Sequence, residues 1–465
     1  MLFFLLGCQE DLTNSEMTDA VIELVEQQAL ESTITVEDVG ADLSVTTAKE
    51  CGDCHPTHYE EWRQSMHAYA AHSPVFDAMA MKAFRDSSGE VGTFCTGCHT
   101  PIGTIQGEDG ATQAEARSEI SKDSVSCETC HSAVTHDNPI GNLSLRLTTT
   151  GEKYGPYDAS QDAHSATKNE FLTSPEFCGS CHDVFNFPSI RIEEAYSEYT
   201  TSPAADQDIT CQDCHMSPTP GAISTRNKAP IAVVQGERYP ERELSSHRFI
   251  GPDYSLIDSF PYENEEASIQ AREELFGQIQ LLLENAVHIS DVRLLDADAF
   301  ILEVDLESLV IGHNVPTGFT SERQLWLDVS VYSNQGLVFR SGDLDSYGDL
   351  KDDHSWIVQE NQDQLDQQLV NLQSRNVIRH GELASPLLSE TVFPFEADYI
   401  EKHSLRPLEL RTIQYMLPPN LHDVSVSVQL KYRNLPPYLL RALQLDELVP
   451  RLQVFTIDEV EMSFP

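Results

Sequence analysis

Five copies of Cys-x-x-Cys-His run through the first half of the chain and limit what it can fold into more than any other feature. They are Cys51, Cys54 and His55; Cys95, Cys98 and His99; Cys127, Cys130 and His131; Cys178, Cys181 and His182; and Cys211, Cys214 and His215. Of the eleven cysteines only Cys8 lies outside them. A Cys-x-x-Cys pair alone can hold half a zinc site, run thiol exchange or anchor a haem. The histidine that follows each pair separates these readings, because neither a zinc ribbon nor a disulfide framework has a use for it. In c-type haem attachment the two thiols become thioethers to the vinyl groups, and the next side chain lies under the iron as its proximal ligand. The motifs imply five covalent haems c. An apolar core of ordinary size does not fit between motifs so closely spaced, so the haems themselves must form the core.

At 465 residues, two or three domains are expected. Lys and Arg number 29 against 75 Asp and Glu, a net charge of −46. That balance argues against nucleic acid or an acidic membrane surface as a partner and favours basic redox partner proteins, among them other multihaem cytochromes. It reads equally as a solvated acidic surface. No apolar run approaches the ~20 residues of a membrane span. The opening "MLFFLLGCQE" resembles a lipoprotein signal, with Leu5-Leu6-Gly7-Cys8 as its lipobox, although it lacks a basic segment and its apolar run falls short of the usual ~7–15 residues. Lipidation of Cys8 is the expectation, with Gln9 after it directing the protein to the outer membrane at the periplasmic or cell-surface side. Residues 9–45 read as an acidic flexible tether.

The periodicity then divides the chain. Residues 46–255 are expected to form a mostly α or irregular pentahaem domain, in which Tyr59, Trp62, Met66 and Tyr69 share one helix face packed on porphyrin. Residues 256–290 contain a linking helix, with Asn264 as N-cap and Ile269, Leu275, Phe276, Ile279, Leu282 and Leu283 at helical spacing. From 291 to 465 the period is two. Phe300, Leu302, Val304 and Leu306 alternate, as do Leu325, Leu327, Val329 and Val331, and Val424, Val426, Val428, Leu430 and Tyr432. These are half-buried strands of an antiparallel β-sandwich, giving an α+β multidomain chain. The cluster Asp343, Asp345, Asp349, Asp352 and Asp353 matches no EF-hand spacing and reads as a solvated acidic loop.

Each haem needs a second axial ligand or has an open face, and twelve histidines (17 − 5) lie outside the motifs. His58 follows His55 by one helical turn, so it sits on the same side of that haem and reads as a surface or propionate contact. His136 cannot wrap round its own motif and reads as a distal ligand to a neighbouring haem. The segments "CGDCHPTHYEEWRQSMHA", "VSCETCHSAVTH", "AHSATKNEFLTSPEFCGSCHDVFN", "EEAYSEYTTSPAADQDITCQDCHM" and "SHRFIGP" resemble the multihaem cytochrome c superfamily related to hydroxylamine oxidoreductase and its tetrahaem electron acceptor. More narrowly, the chain is similar to members with an appended β-rich domain carrying "GHNVPTG" and "YRNLPPYLL". The resemblance implies distal ligands at His67, His136, His164 and His247. For the fifth haem His313 is preferred, with His72 as the alternative and a plain turn histidine as the non-ligand reading. His288, His354, His380, His403 and His422 are given ordinary roles.

Two functions follow. With every iron held by two histidines, the chain is an extracytoplasmic electron conduit with no catalytic residue of its own. With one iron open, it is a pentahaem reductase of nitrite, hydroxylamine or a similar small oxyanion. A pentahaem nitrite reductase usually has lysine in place of one motif histidine and a helical C-terminal region, and this chain has neither feature.

Overall fold

The computed structural model describes residues 35–37, 45–148, 150–157, 164–186, 189–224, 226–296, 300–381, 387–419 and 421–464. The expected leader with Cys8, and most of the expected tether, lie outside the described residues. Within the tether, Thr35–Glu37 is a strand and pairs in parallel with Arg146–Thr148, whose other edge is occupied by Ala133–His136. An open strand edge takes a partner readily, and this stretch supplies one.

Through the motif region the helices are short: Ala48–Gly52, Pro56–Trp62, Phe94–His99, Cys127–His131, Pro175–Gly179 and Cys211–His215. One helical turn is all a motif requires, since it brings residues three and four apart onto one face. Local capping defines the start of some of them. Ser126 accepts from Thr129 N at Cys127–His131, and Thr210 and Asp213 form a capping box at Cys211–His215. Tyr59, Trp62, Met66 and Tyr69 do not share one helix. The chain leaves the helical path after Trp62 and restarts at Met66, because Ser65 turns its hydroxyl onto Ala68 N as a new cap. The four rings and chains still converge, with Trp62 and Tyr69 buried beside Phe260 and Tyr59 and Met66 packed against them.

The helix expected between the halves runs Glu265–Glu284, with Asn264 Oδ1 accepting from Ala267 N at 2.9 Å. It is more than a connector. Ile279 and Leu283 are buried in the same core as the strands that follow, together with Tyr254 and Leu256.

Those strands are β1 (Val287–Asp296), β2 (Phe300–Ser308), β3 (Gln324–Ser333), β4 (Gly336–Ser341), β5 (Arg375–His380), β6 (Leu387–Thr391), β7 (Tyr399–Glu401), β8 (Leu410–Met416), β9 (Val424–Arg433) and β10 (Phe455–Phe464). They form three antiparallel sheets, ordered β1-β2-β8, β4-β3-β9-β10 and β6-β5-β7. Leu302, Val304 and Leu306 from the first sheet share one core with Leu325, Leu327, Val329, Val331, Val424, Val426, Val428 and Leu430 from the second. Strand β3 departs from the half-buried expectation, being buried on both faces from Gln324 to Val331. Most of its polar face is satisfied in place: Trp326 Nε1 donates to Gly342 O at 3.0 Å, and Asp328 is paired with Arg340 and Lys431, while Gln324 Nε2 is left without a partner. The acidic loop is likewise less solvated than its composition implied. Lys351 bridges Asp343 and Asp363 at 2.9 and 3.0 Å, and Asp349 is fully buried against Arg441.

Candidate functional site

Every motif histidine but one has its Nδ1 fixed by a backbone carbonyl. His55 Nδ1 lies 2.7 Å from Ile231 O, His99 Nδ1 3.2 Å from Ala70 O, His131 Nδ1 2.6 Å from Tyr154 O and His215 Nδ1 3.3 Å from Ile250 O. A carbonyl at Nδ1 sets the tautomer: that nitrogen keeps the proton and donates, and Nε2 is left as a lone-pair donor for a metal. The exception is His182, whose Nδ1 faces the Glu193 carboxylate at 3.6 Å.

The expected distal histidines can be tested against this set. A metal–imidazole bond is ~2 Å and the ring centre lies ~1 Å beyond it, so two imidazoles on one metal have centroids ~6 Å apart. Four pairs of a motif histidine with an expected distal histidine meet that condition; His55 and His58 also lie at 5.9 Å, but only one helical turn apart in the chain. Centroids are 6.3 Å apart for His55 and His164, 6.3 Å for His182 and His67, 6.4 Å for His131 and His247, and 6.1 Å for His215 and His313. Three of the four distal rings also carry a carbonyl at Nδ1: Ser165 O for His164 at 3.1 Å, Ser245 O for His247 at 3.0 Å and Asn314 O for His313 at 2.8 Å. The donor set therefore fits haem iron held between two imidazoles.

Electrostatics agree. Burial pushes His67 and His247 down to about 3, and His99 and His313 down to about 4, with His131 and His215 also lowered mainly by burial. These rings stay neutral, which is the form that binds a metal. His182 goes the other way. Burial lowers it, but the Glu193 carboxylate outweighs that and holds it up at about 9.

The cysteines interlock the motifs. Cys51 lies against Cys127, Cys98 against Cys181, and Cys178 against Cys211, while Cys130 and Cys181 are close enough to perturb one another. The fourth motif thus neighbours the second, third and fifth, and the first reaches it through the third.

Two expectations are not met. His136 is brought to no motif histidine; its Nδ1 lies 2.7 Å from Asp137 O and its ring packs on Phe171 at 5.7 Å. His99 correspondingly lacks a histidine partner among the described residues, and the ring on its face is Phe76, stacked at 3.9 Å with a 6° interplanar angle. The alternative ligand His72 is not brought to His215. Its Nε2 lies 2.8 Å from Lys122 O, the reverse tautomer, and His313 occupies the position opposite His215. His58, expected as a surface or propionate contact, is half-buried, edge-on to His247 at 4.7 Å and to His55 at 5.9 Å.

Sequence reasoning missed the residues that hold the ligands. Glu198 accepts from Asn314 N at 3.1 Å, Asn314 Nδ2 at 2.5 Å and Thr317 Oγ1 at 2.6 Å, fixing the segment that carries His313. The other side of that segment is tied by Val315 and Leu405, which exchange two backbone bonds of 2.8 Å. Gly318 ends it at φ +75°, where a side chain would run into Arg323. Glu61 Oε2 accepts from His247 N at 2.9 Å. Glu193 and Glu198 lie in the distinctive "EEAYSEYTT" stretch, so the signal was there, but no period or motif assigns such carboxylates a role.

Residues 50–132 match the family described as cytochrome c554 and c-prime. The whole chain resembles the crystal structure of a penta-heme cytochrome c552 from Thermochromatium tepidum, with a TM-score of 0.60 and 16% identity over 90% of this chain and 99% of that one. The family match supports a multihaem c-type cytochrome, and the structural likeness shows a shared fold. No curated protein matches the chain. The family match spans the first three Cys-x-x-Cys-His motifs and supports covalently bound haem c there. Among the described residues no helix is long and apolar enough to cross a membrane.

Proposed function

We propose that this multihaem cytochrome is an electron conduit carrying five haems c, four of them closed by the pairs His55–His164, His182–His67, His131–His247 and His215–His313. The observation that carries the reading is the recurrence of a ~6 Å imidazole separation at four of five motifs, the spacing of two ligands on one metal. The penta-heme description of the similar structure supports the count of five. When bound, each haem supplies an iron that gains and loses one electron. Neutral imidazole on both sides holds that iron low-spin in either state and keeps reorganisation small. The carbonyls at Nδ1 orient the rings. Cysteines of different motifs that lie near one another would set their haems side by side, so that a path would join the first motif to the third, the third to the fourth, and the fourth to the second and fifth.

The His99 site carries the second reading. His99 alone of the five motif histidines has no expected distal ring about 6 Å away among the described residues, so this is where an open iron would allow reduction of nitrite, hydroxylamine or a similar small oxyanion. His136, whose Nδ1 rests on Asp137 O, is the candidate to close it. Low-temperature EPR or magnetic circular dichroism of the oxidised protein separates these: a purely low-spin spectrum supports the conduit, and a high-spin ferric component with turnover of hydroxylamine or nitrite supports the reductase. Mass spectrometry under denaturing conditions counts the haems.

Multihaem c-type cytochromes are typically extracytoplasmic, and lipidation of Cys8 would tether this one at the outer membrane, facing basic redox partners across its acidic surface. Membrane fractionation of a Cys8→Ser protein tests the anchor, with retention in the membrane fraction counting against it.

A further inference from the structure

The ligand pair His67–His182 differs from the other three on both sides of the metal position. Elsewhere every ligand nitrogen Nδ1 rests on a backbone carbonyl, a neutral acceptor. His67 Nδ1 is buried with no partner at all, and His182 Nδ1 faces a carboxylate, Glu193 Oε1, at 3.6 Å. Glu193 is 4% exposed and its second oxygen is buried without a partner; the Arg323 guanidinium, itself paired with Asp253, lies beyond Oε1 across Gly318. Its place is fixed by backbone pairing with Val184, two residues beyond His182. The same motif is the one that neighbours three others through Cys178, Cys181, Cys98, Cys130 and Cys211.

We propose that Glu193 is a positioning residue that makes the His67–His182 haem the one of lowest reduction potential, at the junction of the network. At 3.6 Å the carboxylate acts on Nδ1–H through its charge rather than through a formed hydrogen bond, which still makes Nε2 a more basic ligand. A more basic ligand, with a buried negative charge behind it, favours ferric over ferrous iron. Backbone carbonyls polarise the other ligands less, because they carry no net charge. The junction is then the last haem to fill. Electrons cross it without resting there, and the arm through the first and third motifs charges independently of the second and fifth. The inference rests on the axial pairing given above.

The test is a mediator-equilibrated spectroelectrochemical titration of the holoprotein, followed by EPR, after denaturing mass spectrometry has confirmed the full haem count. Glu193→Gln should raise the lowest-potential component alone, shifting its reduction equilibrium about tenfold, or ~59 mV for one electron. Glu193→Asp, which retains the charge, should return most of that shift, and Glu194→Gln next door should leave all components in place. Independently of any change at Glu193, His67→Ala should convert to high spin the same component that titrates lowest in the wild type. Unchanged potentials in Glu193→Gln, an equal rise in every component, or His67→Ala opening a component other than the lowest would each overturn the inference. A His67→Ala protein that stays low-spin throughout would instead overturn the pairing beneath it.

Discussion

Replacing Glu198 by alanine should unseat His313 without touching a ligand. Its carboxylate receives three hydrogen bonds from the segment carrying that histidine: Asn314 N, Asn314 Nδ2 and Thr317 Oγ1, at 3.1, 2.5 and 2.6 Å. Burial raises Glu198 to about 7, so the group is charged above that pH; there, hydrogen bonds to a charged group contribute about 1.5–3 kcal/mol each, and three on one carboxylate do not add in full, so a total of about 3 kcal/mol is the working figure. That loss shifts the seating equilibrium of the segment about a hundredfold. The Val315–Leu405 backbone pair remains, so the strand-rich half stays folded while the His313 ring moves away from His215. EPR of the oxidised protein should show a new high-spin ferric signal from one haem, and added imidazole should abolish it by taking the emptied position. Thr317→Val, which removes one donor of the three, should give a fraction of the same signal. If Glu198→Ala stays fully low-spin with an unchanged urea midpoint, the carboxylate is not what seats His313.

Three further outcomes are expected. His247→Ala should open the His131 haem, producing one high-spin component and raising that haem's potential in a redox titration, since the imidazole donor favouring ferric iron is gone. Leu327→Ala, at a fully buried position in β3, should lower stability by about 2–5 kcal/mol in urea unfolding while leaving the haem spectrum of the folded protein unchanged. Stability of the strand-rich half should fall as pH rises from about 4 to 7: burial pushes Asp349 up to about 6 from an unfolded value of 3.8, so the folded state binds the extra proton, and its contribution is complete below the unfolded value and lost through the folded one. Urea midpoints at pH 5 and pH 8 check the sign, and Asp349→Asn should flatten the slope.

The motifs were legible in full because the chemistry of thioether attachment fixes a spacing of three and four residues, and that spacing is a property of the chain itself. The same holds for the helix from Glu265 and for the alternating strands β2 and β9, whose periods are set by local geometry. The helix break at Ser65 needed only a local competition for Ala68 N, yet the apolar spacing of Trp62, Met66 and Tyr69 masked it. Axial pairing is different in kind. His67 meets His182 and His313 meets His215 across more than ninety residues of chain, and no period or motif encodes which ring faces which. Family resemblance supplied the names of these histidines; only tertiary packing decided their partners, left His99 beside Phe76, and turned His72 onto Lys122. Tertiary packing likewise gave Glu193 and Glu198 their roles. A carboxylate's effect depends on what is buried beside it, and burial is a property of the folded chain.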